Sequence, residues 1–117
     1  RAAVRGLGLK RPSGLHDALR LALEDGDEEV REVACEVLGN LGDAEAARVL
    51  TGALADTSFR VRRAACEALG RSGDAGCIPA LCGLLKDSDT PARDAAFEAL
   101  WRVCQRTGRT VYLKDLE

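Results

Sequence analysis

Apolar residues recur at helical spacing along the chain, and short glycine-containing links interrupt them. One apolar stripe, at spacings of three and four residues, consists of Val61, Ala64, Ala65, Ala68 and Leu69. A second stripe follows the next link and consists of Ile78, Leu81, Leu84 and Leu85. Spacings of three and four place such residues on one face of an α-helix. The pattern therefore predicts pairs of amphipathic helices with apolar faces that must be covered.

The helix pair repeats with a period of 31 residues. Residues 25–55 and 56–86 are identical at 14 of 31 aligned positions, and a third copy begins at Asp87. Residues 15–24 align with the second half of a preceding unit. A two-helix unit cannot bury its apolar face alone, so the copies must stack. We therefore predict an all-α fold, an α-solenoid of antiparallel helix pairs with about three repeats.

Capping residues mark where these helices begin and end. Asp27, Ser58 and Asp89 stand 31 residues apart before the first helix of each unit, and Asp74 precedes a second helix. Their side chains suit N-cap positions. Gly70 and Gly73 suit a helix end or a close helix contact.

The third unit departs from the repeat where Trp101 replaces the glycine of the earlier units. We expect its ring to cover the core at that end. We divide the chain into an N-terminal basic segment (1–14), a repeat domain (15–106) and a C-terminal cap or linker (107–117).

The motif VRxxACExLGxxGDA occupies residues 30–44 and 61–75. It resembles the short HEAT-like repeats first associated with phycobilin lyases, and the resemblance extends over residues 15–103. The resemblance implies a right-handed superhelix in which recurrent Asp and Arg side chains form a hydrogen-bonded ladder between repeats. The matching residues here are Asp25, Arg31, Asp56, Arg62, Asp87 and Arg93.

In that family the second helices line the concave face, so the resemblance also implies a partner-binding surface. The repeat places these residues on it: Glu45, Arg48, Val49, Gly52, Gly76, Pro79, Ala80 and Gly83. Such small side chains suit a close-packing helix or an extended segment of a protein partner. A bland or covered surface is the competing interpretation.

Charge changes this picture little. The chain carries 17 Lys and Arg against 19 Asp and Glu, a net charge of -2, which argues against dedicated binding of nucleic acid or anionic membranes. Residues 24–45 contain nine acidic side chains and one arginine. This charge pattern indicates either a solvated helix face or a binding surface for a basic partner. Basic clusters at Arg60, Arg62 and Arg63 and near Arg102 and Arg106 lack interleaved aromatic residues.

Residues for chemistry are scarce. His16 is the one histidine, and five cysteines give no disulfide framework. Some relatives implied by the resemblance are di-iron hydroxylases with paired His-Glu motifs, and this sequence contains no His-Glu dipeptide. We predict no catalytic residue, metal or cofactor, and therefore no enzyme.

These observations favour a non-catalytic scaffold or adaptor for protein–protein interaction. An accessory subunit of a phycobilin-lyase-like enzyme, or backbone-driven binding of nucleic acid, is the alternative. No apolar run reaches membrane-spanning length, and the cysteine usage favours a reducing compartment, which we predict to be the cytoplasm, with the nucleus as the alternative. The chain contains no methionine, and we expect it to be part of a larger chain or complex.

Overall fold

The computed structural model describes residues 14–108, which form six α-helices and no strand. The helices are α1 (Leu15–Ala22), α2 (Glu28–Leu41), α3 (Ala44–Ala53), α4 (Phe59–Ser72), α5 (Ile78–Leu84) and α6 (Thr90–Thr107). A single 3-10 turn, Ala75–Cys77, leads into α5. The predicted all-α solenoid of stacked helix pairs is confirmed. The N-terminal basic segment up to residue 13, and residues 109–117 of the cap or linker, lie outside the described residues.

The helices form two layers. The first helices α2, α4 and α6 pack side by side, while α3 lies against both α2 and α4, and α5 packs on α6. Four leucines without solvent exposure, one in each of α2, α3, α4 and α5, fill the space between the layers: Leu38, Leu50, Leu69 and Leu81. Alanine and cysteine complete the core, so the helices can approach closely.

Each first helix begins where the sequence predicts. The carboxylate of Asp27 accepts a hydrogen bond from the Glu29 N–H at 2.9 Å, and that of Asp89 accepts one from the Ala92 N–H at 3.0 Å. The Ser58 hydroxyl accepts one from the Arg60 N–H at 3.2 Å. These bonds satisfy helix N–H groups that lack a partner within the helix.

Two glycines set the distance between neighbouring first helices. A Cβ atom on Gly39 would lie 2.7 Å from the Ala68 Cβ, and one on Gly70 would lie 3.4 Å from the Ala99 Cα. Both glycines face the following helix of the same layer. The repeat thus keeps glycine where two helix backbones cross.

Gly73, which ends α4, does not adopt the left-handed conformation; glycine is needed there because a side chain would have no space. Its φ is -74°, and an added Cβ would lie 2.7 Å from the Leu69 carbonyl oxygen and 2.8 Å from the Cys77 Sγ. Gly42, which ends α2, does adopt the left-handed conformation with φ 66°. Equivalent positions of the repeat therefore end their helices by different geometry.

Trp101 does not cover the core, contrary to the expectation from its place in the repeat. Its side chain is 59% exposed and lies on the outer face of α6. The reason is that this position points along the stack toward a following first helix, as Gly70 points toward α6. Without such a helix in residues 14–108, the indole remains in solvent.

The recurrent arginines and aspartates connect successive units. Arg31 donates two hydrogen bonds to the Asp56 carboxylate, at 3.0 and 3.2 Å, and a third to the Asp25 carbonyl oxygen at 2.7 Å. Arg62 repeats the arrangement with the Asp87 carboxylate at 2.6 and 3.0 Å and with the Asp56 carbonyl oxygen at 2.8 Å. Each arginine thus holds the link before its own helix and the link before the next one.

The last arginine of this series makes only part of the pattern. Arg93 donates to the Asp87 carbonyl oxygen at 2.6 Å and to the Thr90 hydroxyl at 2.8 Å. No carboxylate of a following unit lies among residues 14–108 to receive its remaining N–H groups. Hydrogen bonds from Arg62, by contrast, hold the pKa of the nearly buried Asp87 carboxyl below its ordinary value.

Substitution of Gly39 by alanine tests whether this glycine is needed for helix packing, because glycine by itself weakens a helix. We expect Gly39→Ala to destabilise the chain by about 1–3 kcal/mol, because the new methyl group overlaps Ala68. Gly52→Ala is the matched control, since a Cβ there meets no atom within 4 Å, and it should stabilise by about 0.5–1 kcal/mol. Urea unfolding of both variants measures the difference. Equal effects would contradict the assigned helix crossing.

The Arg62–Asp87 pair should contribute to stability in a pH-dependent way. Because the folded pKa of Asp87 is depressed, its contribution is present above the unfolded pKa of about 3.9 and is lost as pH falls through the folded pKa. Asp87→Asn should therefore cost about 1.5–3 kcal/mol at pH 7 and flatten the acid limb of the stability profile.

Asp94→Asn serves as the control for that measurement. Asp94 is exposed and has no ion-pair partner within residues 14–108, so its removal should change unfolding free energy by less than about 0.5 kcal/mol. Chemical denaturation between pH 3 and pH 7 compares both variants with the parent chain. Parallel profiles for Asp87→Asn and the parent would rule out the pH-dependent role.

Candidate functional site

The residues predicted for the partner-binding face lie on α3, on the 3-10 turn and on α5. Five of them are exposed: Arg48, Gly52, Gly76, Pro79 and Gly83. Glu45 and Ala80 are half-buried, and Ala80 packs against the core. We call the surface formed by these seven residues the second-helix face.

Val49 does not belong to that face, which corrects the sequence prediction. Its side chain is only 9% exposed and joins the hydrophobic core. The reason lies in helix geometry, because Ala46, Val49, Leu50 and Ala53 follow the spacing of one helix face and all are buried. The repeat therefore predicted an outward side chain for Val49 where the structure has a buried one.

A groove of ≈ 320 Å³ lies between α1 and α3. It is lined by Arg20, Leu23, Glu24, Arg48, Val49, Gly52, Ala53 and Asp56. Arg20 is held there by the Asp17 carboxylate at 2.7 Å and the Glu45 carboxylate at 3.2 Å. Glu24 and Arg48 form no ion pair within residues 14–108. The groove therefore has one negative charge, Glu24, and one positive charge, Arg48, that are unpaired among the described residues, beside apolar side chains.

Gly52 and Gly83 are placed differently from the glycines that the stack needs. They lie 31 residues apart within α3 and α5, are exposed, and would contact nothing within 4 Å if they carried a Cβ atom. Neither has a positive φ. Glycine inside a helix costs about 0.5–1 kcal/mol relative to alanine. The fold of residues 14–108 gives no reason for that cost at either position.

His16 is engaged at a helix start. Its Nε2 lies 3.0 Å from both carboxylate oxygens of Asp43, which also accepts a hydrogen bond from the Ala46 N–H at 2.8 Å. The histidine thus links α1 to the N-terminus of α3. No group of three or more His, Cys, Asp or Glu in residues 14–108 is arranged to hold a metal ion.

The cysteines are mostly core residues. No disulfide joins them, and four are buried: Cys35, Cys66, Cys77 and Cys82. Burial raises the pKa of Cys35 and Cys66 to about 12 and that of Cys77 to about 11. Since the thiolate is the reactive form, these three side chains are weak nucleophiles at neutral pH.

Several of the acidic residues between positions 24 and 45 make contacts within the fold. Glu28 and Glu32 lie 3.6 and 3.1 Å from the Arg60 guanidinium, while Asp27 and Asp43 cap helices. Much of the negative charge is thus neutralised or used by the fold.

The clustered arginines are also engaged. Arg62 bonds to Asp87, and the Arg63 guanidinium lies 5.4 Å from the centre of the Phe59 ring. Near the end of the stack, Arg106 donates to the Gly70 and Gly73 carbonyl oxygens at 3.0 and 2.6 Å, which caps the C-terminus of α4. Arg102 pairs with Glu98 at 2.8 Å. The arginines of these basic clusters therefore make contacts within the fold.

One pair of residues, Arg71 and Arg102, was missed in the sequence analysis. The Arg71 guanidinium crosses Gly39, with Nη2 2.5 Å from the position of a Cβ atom there, and the Arg102 Cδ lies 3.6 Å from the equivalent position on Gly70. Arg71 and Arg102 are themselves 31 residues apart, so the repeat carried the signal. Both side chains thus lie across the glycine of the preceding first helix.

Among residues 14–108, no helix combines the length and the apolar character that crossing a membrane requires.

The thiols should differ sharply in reactivity. We expect a maleimide at pH 7 to modify half-buried Cys104 first and to leave Cys35 and Cys66 unmodified, because both are buried and protonated. All five should react in denaturant. Peptide mapping by mass spectrometry after timed quenching measures each site. Rapid modification of Cys35 or Cys66 in the folded chain would contradict their burial.

Comparison with known proteins identifies the family of the chain through its repeats. No curated protein matches it significantly. The sequence profile of HEAT repeats, in contrast, matches residues 1–60 and residues 52–111, and this match carries no phycobilin-lyase specificity. The two matched ranges together cover nearly the whole sequence, and the described residues form stacked helices. The chain therefore belongs to the HEAT-repeat family.

Proposed function

We propose that the chain is a non-catalytic protein-interaction module that binds a partner segment through the second-helix face. HEAT repeats generally serve as scaffolds for protein–protein interaction. The observation that carries the proposal is the pair of exposed helix glycines, Gly52 and Gly83, which no neighbouring atom requires. A glycine that the fold does not need is explained when another backbone approaches at that point.

The surroundings of these glycines support a helix or an extended segment as the partner. Exposed Gly76 and Pro79 keep the surface low beside Gly83, so a partner can approach closely. Glu24 and Arg48 flank Gly52 in the groove and can form charged hydrogen bonds that fix the direction of the segment. Contact with the partner's backbone would thus provide most of the buried interface area, and the two charges would provide specificity.

The chemistry of the described residues supports a non-catalytic role. The most buried thiols are protonated at neutral pH, and His16 is bound to the carboxylate that caps α3. A nucleophile needs a base within hydrogen-bond reach. The HEAT-repeat family is typically non-catalytic as well.

Charge substitution on the glycines should remove partner binding without unfolding the chain. The double variant Gly52→Glu with Gly83→Glu places two carboxylates where the partner's backbone would lie, and both sites have space for a side chain. We expect loss of at least about tenfold in affinity for a protein partner, since each buried unpaired charge costs more than 1.4 kcal/mol. Quantitative crosslinking and mass spectrometry, followed by calorimetry with the purified partner, measures the loss.

Two controls make this comparison specific. Glu36→Lys with Glu67→Lys changes charge on exposed positions of the first helices and should leave the partner bound. Circular dichroism must show equal helix content in all variants. Unchanged binding by the glycine variant would move the interaction to another surface. Nuclease-sensitive binding that weakens steeply with salt, or recovery of a pigment, would replace the proposal with one of the alternatives.

A further inference from the structure

The series of arginine–aspartate pairs is open at both ends of residues 14–108. Arg93 binds the carbonyl oxygen of the link before its own helix, but no carboxylate of a following unit receives it there. Asp25, at the other end, has the opposite deficit. Its carboxylate accepts the Asp27 N–H at 2.8 Å, just as Asp56 accepts the Ser58 N–H at 2.9 Å, yet no described arginine binds that carboxylate. Arg93 and Asp25 are thus the two separate halves of one further pair.

The outermost first helices also expose apolar side chains. Val33 and Val37 of α2 are 55% and 36% exposed, and Phe97 and Trp101 of α6 are 63% and 59% exposed. By the period of 31, the valines occupy the positions with which α4 packs on α2. The aromatic residues occupy the positions with which α4 packs on α6. The two end faces are therefore the two sides of one type of interface.

Each end of the described stack also carries half of a unit. α1 corresponds to a second helix and packs on α2, but the first helix of its unit is not among residues 14–108. α6 is a first helix, and the second helix of its unit is not among these residues either. Leu19 of α1 is only half-buried, whereas its equivalents Leu50 and Leu81 have no exposure. The open side of α1 therefore matches the open side of α6.

We infer that copies of this chain associate head to tail, with α6 of one copy packed against α1 and α2 of the next. In this arrangement the two valines cover the two aromatic rings, and Arg93 binds the Asp25 carboxylate of the next copy. The α1 helix of the next copy lies against two first helices, as α3 lies against both α2 and α4 within one chain. The association does not use the second-helix face, so it is independent of the proposed function.

The end faces fit one another at a wider spacing than the internal helices have. Within the chain, a Cβ atom on Gly70 would lie 3.4 Å from the Ala99 Cα. The indole of Trp101 excludes a neighbour at that spacing. In the next copy, Val37 takes the place of Ala99, and the larger side chains hold the helices toward the upper end of the common range of about 8–10 Å. An apolar centre with a charged pair at its edge is typical of protein interfaces.

This interface is heterologous, because each copy uses one face for the copy before it and another for the copy after it. Interfaces of this kind build open chains or rings rather than closing at a dimer. We therefore expect the mass of the full chain to rise beyond that of a dimer as its concentration increases from micromolar to millimolar. Sedimentation velocity measures this mass.

Two variants that each block one face test the polarity of the assembly. Trp101→Glu places a carboxylate on the α6 face, and Val33→Glu places one on the α2 face. Both positions are exposed, so circular dichroism should show unchanged helix content. Each variant alone should be monomeric. An equimolar mixture should form a dimer and nothing larger, because the intact α6 face of one variant meets the intact α2 face of the other.

A third variant should strengthen the association. Glu29 is the equivalent of Arg60, whose guanidinium lies 3.1 Å from Glu32 across the interface between α2 and α4. In the head-to-tail assembly Glu29 faces Asp94, the equivalent of Glu32, so two carboxylates meet at the edge of the interface. Glu29→Arg replaces this repulsion by an ion pair and should tighten association about twofold to fivefold.

Ala55→Glu is the matched control for the added carboxylates. Ala55 is exposed on the link before α4, and Glu24 stands at the equivalent position of the preceding unit, so this variant should assemble like the parent chain. A parent chain that stays monomeric at every concentration would overturn the inference. A Val33→Glu variant that dimerises alone, or a mixture of the two blocked variants that stays monomeric, would overturn it as well, because the interface would then not join α6 to α2.

Discussion

Close packing between the first helices is the constraint on which the rest of this structure depends. A single helix pair buries only part of its apolar surface, so α2, α4 and α6 must lie against one another. They can do so because Gly39 and Gly70 stand at the crossings, with Ala68 and Ala99 opposite. Larger residues at these points would push neighbouring first helices apart and expose the leucines packed beneath them.

The arginine–aspartate pairs act on the links rather than on the core. Arg31 and Arg62 each bind the carboxylate that begins the next unit and the carbonyl group that begins their own. Both pairs are largely shielded from water, so their hydrogen bonds gain strength, while loss of one partner would leave a charge unpaired. The glycine crossings thus set the distance between units, and the pairs set their orientation.

The features that recur every 31 residues could be predicted from the sequence. The helix pairs, the N-caps and the residues at the repeat interfaces follow from local rules that act in every unit. The prediction failed where three-dimensional surroundings differ between equivalent positions. Val49 is buried by its place on α3, although the repeat placed it outward. Gly42 and Gly73 occupy the same position of the repeat but end their helices with opposite signs of φ.

Residues that satisfy the stack have little freedom to serve another purpose, which directs the search for function to those that do not. Gly52 and Gly83 keep the period although a Cβ atom at either position would meet nothing within 4 Å, which supports the proposal that a partner contacts them. Phe97 and Trp101 break the period and would block a regular neighbour. The first pair marks an open surface that recurs along the solenoid, and the second marks an exposed aromatic surface on α6. In a quasi-one-dimensional fold each unit contacts only its neighbours, so a substitution at one of these surfaces need not disturb the other.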